Sequence, residues 1–198
     1  MALPIAHSMI GLALGIWRFT PRCASLKEAL RLVWQRRAEM FICIIISLAP
    51  DIDILFGLSA GRLNLYHHLV THTLGWTLLT AFCVWLYSKF ALKKQPLLAF
   101  WFVFLLIAAH LVIDIFTTDT RKPIGIMLAW PFSAEYWHSS VSIFPAPAKK
   151  TFLDIFSLHN LKNAGWEFLI SLPFVAAALL SKVWKWPGSK RVNIGGEK

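Results

Sequence analysis

Apolar residues along this chain fall in long runs rather than in short alternations with polar ones. A helix that crosses a bilayer needs about 20 largely apolar residues, because the hydrocarbon core is about 30 Å thick. Five runs approach that length. Residues 1–17 hold no Asp, Glu, Lys or Arg, and residues 40–59 hold only Asp51 and Asp53 among these types. Between Arg62 and Lys89 lie 26 residues free of all four, and residues 95–113 are equally free. The fifth run, 166–186, carries Glu167 near its start and Lys182 and Lys185 near its end, with Pro173 inside. Membrane helices tolerate such a proline. The pattern predicts an all-α polytopic membrane protein with about five membrane-spanning or membrane-embedded helices. Pro50 is expected to open a break in the second of them. Residues 25–34, SLKEALRLVW, read as an amphipathic helix on the membrane surface. The longest stretch outside the runs, 117–165, reads as short helices and turns on the outer surface. Neither repeats nor low-complexity segments divide the chain. Residues 1–186 are expected to form one membrane-embedded domain, followed by a basic cytoplasmic tail, 187–198.

Composition agrees with this pattern. Of 198 residues, 57% are hydrophobic and 15% charged, against roughly 45–50% and 25% in soluble domains. A disordered chain is excluded, and a soluble globular enzyme is disfavoured. The net charge of +10 fits either a nucleic-acid binder or a membrane protein with its cations in cytoplasmic loops. Positions decide between them. Segments 18–39, 89–96 and 182–198 together carry 14 cations and 3 acids, whereas the remaining linkers and run ends carry 6 cations and 7 acids. With five spans these two sets fall on opposite faces. The positive-inside rule then places the N-terminus outside and the C-terminus in the cytoplasm, with the bilayer as partner and nucleic acid not expected. Because the cations follow the first run instead of preceding it, that run reads as a retained helix rather than a signal peptide. Cys23, Cys43 and Cys83 form no C-x-x-C pair and suggest neither a zinc knuckle nor a disulfide framework.

Ionisable groups inside spans are costly and mark function. At about 1.5 Å per residue, His7 lies about 16 Å above Arg18, Asp51 about 21 Å above Arg37, His72 about 25 Å above Lys89 and His110 about 24 Å above Lys94. Four groups from four runs thus share the outer half of one membrane. His110 and Asp114 in HLVID are four apart, hence on one helical face, and His68 and His72 in HHLVTH share that spacing. An extended break after Pro50 would aim Asp51 and Asp53 the same way. Imidazole with carboxylate suits zinc and related divalent ions, and this many donors at one level could hold two or three of them. His138 and His159 read as surface histidines and Asp119 as a loop carboxylate. The tryptophans near span ends read as an interfacial belt.

The motifs stand in a particular order. His7-Ser8 is followed by APDID from Ala49, HHLVTHT from His67, HLVID from His110, Thr117 and WPFS from Trp130. Over residues 1–133 this set resembles the YdjM-like proteins, described as inner-membrane-associated, LexA-binding, metal-dependent hydrolases. The resemblance implies a bacterial inner-membrane protein with His7, Asp51, Asp53, His67, His72, His110 and Asp114 at a metal site. It favours His67 beside His72, where continuous helical spacing favours His68, which is kept as the second choice. His68-Leu69 stands where the family has Arg-Gly. The layout is also remotely similar to that of zinc-dependent phospholipase C and P1-type nucleases.

The expected function is metal-assisted hydrolysis of a phosphate ester or similar bond in a lipid-like or lipid-linked substrate at the outer leaflet. Asp53 is expected to serve as ligand, orienting residue or general base. Two other classes compete. A transporter or channel could use the same residues as a relay, but should show polar groups in the cytoplasmic halves of the spans as well. A non-catalytic binding module could use the basic 18–37 segment to dock an acidic partner, which no residue specifies.

Overall fold

A computed structural model describes residues 2–59, 68–120, 124–148 and 152–184. Its elements are α1 (Pro4–Phe19), α2 (Leu26–Gln35), α3 (Arg37–Ser47), α4 (Asp53–Ser59), α5 (Leu74–Tyr87), α6 (Pro96–Ile115) and α7 (Leu158–Val183). Single 3-10 turns cover Ala49–Ile52, Val70–His72 and Phe152–Phe156. The described residues hold no strand, only isolated bridges between Thr117 and Phe144 and between Ile126 and Trp137. The all-α expectation holds.

The expectation of about five membrane-spanning or membrane-embedded helices is met in part. Among the described residues two helices, α6 and α7, are long and apolar enough to cross a membrane. The second and third runs are interrupted near their polar residues. At Pro50 the second run breaks into α3, a 3-10 turn and α4. The third enters α5 only at Leu74, after another 3-10 turn, and α5 passes directly into a π turn, Ser88–Leu92. α1 has 16 residues, about 24 Å of rise. The break at Pro50 is helical rather than extended. The last run begins earlier than expected, at Leu158, where the Ser157 hydroxyl accepts the Asn160 N–H and caps the helix. Among its described residues the outer stretch holds turns, one 3-10 turn and the first residues of α7. The amphipathic helix is present as α2, capped by Ser25. It leaves Leu26, Leu30 and Trp34 exposed while Ala29 is buried. The tail 187–198 lies outside the described residues.

α1 is the centre of the bundle, packed between α3 and α7, while α5 packs on α6. Small residues let α1 approach α3. A Cβ at Gly11 would meet the Ser47 Cβ at 2.8 Å and the Cys43 carbonyl at 3.0 Å, and one at Gly15 would meet the Met40 sulfur at 3.1 Å. Four residues apart, the two glycines lie on one face, as in close-packed membrane helix pairs. The Ser47 hydroxyl ties the pair further by donating to the His7 carbonyl at 2.9 Å.

The first turn of α1 leaves N–H groups with no partner inside the helix. Buried Glu167 of α7 takes two of the segment's donors, accepting from Leu3 with one oxygen and from Ala6 with the other at 3.1 Å. A carboxylate at a helix N-terminus also gains from the dipole. Glu167→Ala is therefore expected to lower stability by about 1–3 kcal/mol for donors left unpaired. Thermal unfolding in detergent checks this, and an unchanged midpoint would refute the capping role.

α5 is capped from the outer loop. The Leu74 N–H donates to the Leu128 carbonyl at 2.8 Å and Gly75 N–H to the Trp130 carbonyl at 3.3 Å. Only glycine permits the second contact, since a Cβ at position 75 would lie 2.8 Å from the Trp130 oxygen. The WPF segment thereby seats the end of α5 that follows His72.

Candidate metal centre

Three helix junctions meet in one buried space. α6 presents His110 and Asp114 one turn apart. The 3-10 turn after α3 presents Asp51, and the 3-10 turn before α5 presents His72. His72, His110 and Asp114 side chains are shut off from solvent, and Asp51 is 11% exposed.

Four atoms converge. The Nε2 atoms of His72 and His110 are 3.3 Å apart. Asp114 Oδ2 lies 3.3 Å from the first and 3.2 Å from the second, and Asp51 Oδ1 lies 3.5 and 3.6 Å from them. A point about 2 Å from His72 Nε2, His110 Nε2 and Asp114 Oδ2 exists at these spacings, the length of zinc bonds to imidazole nitrogen and carboxylate oxygen, and Asp51, His72 and His110 also lie close enough together to share an ion. Neither Asp51 oxygen nor Asp114 Oδ2 has a hydrogen-bond donor, though all three are buried. Carboxylate oxygens left so are expensive unless a cation or donor meets them. This donor set fits a divalent metal ion.

The outward nitrogens of the two imidazoles are fixed. Nδ1 of His110 lies 2.8 Å from the Ser47 carbonyl oxygen. Nδ1 of His72 lies 3.2 Å from Asp53 Oδ2, which also accepts the Thr71 hydroxyl at 2.8 Å. An acceptor at Nδ1 places the ring proton there and leaves the Nε2 lone pair facing the centre. Of the three roles expected for Asp53, this geometry serves the orienting one. Asp51 and Asp53 thus bracket opposite edges of the His72 ring.

His7, from the first turns of α1, completes the group. Its ring stacks on His110 with centroids 3.7 Å apart, and its Nε2 is 3.6 Å from Asp114 Oδ1. His68 packs edge-on against His72 at 5.2 Å, with Nδ1 3.6 Å from Asp119 Oδ2. Its φ of 67° shows that no helix runs from His68 to His72, so helical i,i+4 spacing does not relate the two. His68 nevertheless approaches His72 and Asp114 closely enough to share an ion with them. The favoured His67 lies outside the described residues.

Sequence reasoning passed over several residues. Asp119, read as an ordinary loop carboxylate, accepts the Gly125 N–H at 3.0 Å and faces His68. Ser47 and Thr71 orient the two central histidines. The only hint of Ser47 is a polar residue within an apolar run. His138 is not merely surface, because its Nε2 lies 3.0 Å from the Thr117 carbonyl oxygen and ties the outer loop to the end of α6. His159 is exposed, beside the Ala146 carbonyl.

A helical membrane protein with a buried His/Asp cluster of metal-ligating geometry is the class that this fold and site define. The chain belongs to the YdjM inner membrane protein family, whose family model matches residues 1–187. No curated protein and no solved structure gives a match.

Proposed function

We propose that this protein is a membrane-bound, metal-dependent hydrolase acting on a phosphate ester or similar bond of a lipid-like substrate. The observation that carries this reading is the approach of His72 Nε2, His110 Nε2 and Asp114 Oδ2 to within 3.3 Å of one another, with Asp51 Oδ1 3.5 and 3.6 Å from the two nitrogens. Four-coordinate nitrogen and oxygen donors favour zinc. A divalent ion held there lowers the pKa of water toward about 7 and neutralises charge that builds on a substrate oxygen. The chain's own residues orient and shield. Asp53 and Ser47 hold the Nδ1 protons of His72 and His110, while α1 and α6 exclude water from the inner side. Asp51 has the most exposed side chain of the four, at 11%. A relay for transport would need polar groups continuing toward the cytoplasmic ends, and those segments are apolar.

The proposed setting is the bacterial inner membrane, with five embedded elements, the N-terminus outside and the C-terminus cytoplasmic. Supporting this, α3 and α5 expose Phe41, Ile42, Ile45, Leu78, Leu79 and Phe82. Such a surface suits lipid better than water. The basic ends also gather at one end of the bundle, where the Cys23 N–H bonds the Lys182 carbonyl at 3.0 Å. The site lies at the other end, which this orientation puts in the outer half of the membrane.

Elemental analysis of the purified full chain should find at least one zinc or other divalent ion per chain, and less in Asp51→Ala. Hydrolysis of a panel of phosphate-ester lipids should occur with wild type and fall to background in the variant. Absence of stoichiometric metal from both would overturn the site. Metal without hydrolysis across the panel would leave a binding protein and overturn the enzyme.

A further inference from the structure

Asp114 presents its two oxygens to different partners. Oδ2 belongs to the four-atom group with His72, His110 and Asp51. Oδ1 faces His7 Nε2 at 3.6 Å and also accepts the Ala2 N–H at 3.3 Å. His7 is fully buried, and neither of its ring nitrogens has a hydrogen-bond partner. A buried imidazole with both nitrogens unmet is costly. The ion argued above leaves it unexplained, because that ion is met by His72, His110, Asp114 Oδ2 and Asp51 rather than by His7.

We propose that the centre is dinuclear: a second divalent cation binds between His7 Nε2 and Asp114 Oδ1, with Asp114 bridging the two ions. This rests on the metal-centre reading above. The stacking supplies the geometric support. The rings of His7 and His110 are inclined by only 19°, with centroids 3.7 Å apart. Each directs Nε2 toward a different oxygen of one carboxylate. Ions seated in front of two such rings are separated by about the ring spacing, and paired hydrolytic metals stand about 3.5–4 Å apart. His7, His110 and Asp114 also lie close enough together to hold an ion as a group. The pairing gives the buried Nε2 of His7 a partner while the ring stays stacked on His110. With one imidazole and one shared carboxylate oxygen from these residues, the second ion keeps positions for water or a substrate oxygen. It is the more weakly held of the two.

The test uses the full chain in detergent, stripped by a chelator and titrated with Mn2+ alone. Wild type should bind two ions per chain in two steps and show an exchange-coupled paramagnetic resonance spectrum. His7→Ala should bind one ion, with the spectrum of an isolated Mn2+. His72→Ala should lose the tighter step. Wild type saturating at a single uncoupled ion would overturn the dinuclear centre and leave the first site standing, provided that ion is lost in His72→Ala. Two coupled ions in His7→Ala would also overturn the assignment. No binding by wild type would remove both readings. The wild-type stoichiometry and coupling decide the question even if His7→Ala fails to fold.

Discussion

Alanine at His72 is expected to abolish tight metal binding and reduce hydrolysis to background, the largest effect of any single replacement in this protein. The ring contributes Nε2 to the centre, and its other nitrogen meets Asp53 at 3.2 Å. Removing it deletes a ligand and also strands two carboxylates that faced it, Asp51 at 3.5 Å and Asp114 at 3.3 Å. With no imidazole between them, these buried like charges repel, and any ion that enters is held by fewer donors. Asp53→Asn makes the informative comparison. It keeps all four converging atoms and weakens only the acceptor at Nδ1, so metal affinity should fall by about 10–100-fold rather than vanish. Isothermal titration of stripped protein with zinc separates the two outcomes. Equal losses in both variants would mean that Asp53 is itself a ligand, and an unaffected His72→Ala would remove His72 from the site.

The second large effect is expected far from any ligand. Gly11→Ala places a methyl group 2.8 Å from the Ser47 Cβ and 3.0 Å from the Cys43 carbonyl, in a contact between two helix backbones with little room to yield. The cost of such overpacking is about 1–3 kcal/mol. The damage should also reach the metal centre, because Ser47 anchors the His7 carbonyl through its hydroxyl and aligns His110 through its own carbonyl. Gly11→Ala should therefore lower both the unfolding midpoint and zinc affinity. Gly165→Ala is the control. It lies in α7 with nothing within 4 Å of the added carbon, so relief of the glycine helix penalty should raise stability by about 1 kcal/mol. Both are checked by thermal unfolding of the same detergent-purified protein. If the two substitutions shift the midpoint alike, the close α1–α3 approach is wrong.

Much of the site was legible because membranes make polar residues conspicuous. In an apolar run, His7, Asp51, His72, His110 and Asp114 are costly exceptions, and counting their rise from the flanking cations placed four of the runs' groups at one depth before any fold was known. HLVID was also readable as a shared helical face, and His110 and Asp114 do lie together on α6. The geometry around Pro50 and around His68–His72 was not. Both were read through regular extended or helical spacing, whereas each is a 3-10 turn bounded by other structure. Periodicity carries no information where the period changes. Hydropathy likewise does not mark where a run bends, because it adds residues across a turn as though the helix continued.

Sequence alone determined that this chain is helical and membrane-associated, where its charges divide, and which residues are chemically out of place. Those facts depend on composition and local order. Tertiary structure decided which nitrogen of each histidine faces the centre, that Asp53 meets the other nitrogen of His72, and that Ser47, Thr71 and Asp119 belong to the surroundings. It also decided that Asp114 faces two sets of partners. These facts depend on atoms from distant segments approaching within 4 Å, and helix crossings set by Gly11 and Gly75 and by the caps at Glu167 and Trp130 bring them there. No spacing along the chain encodes them.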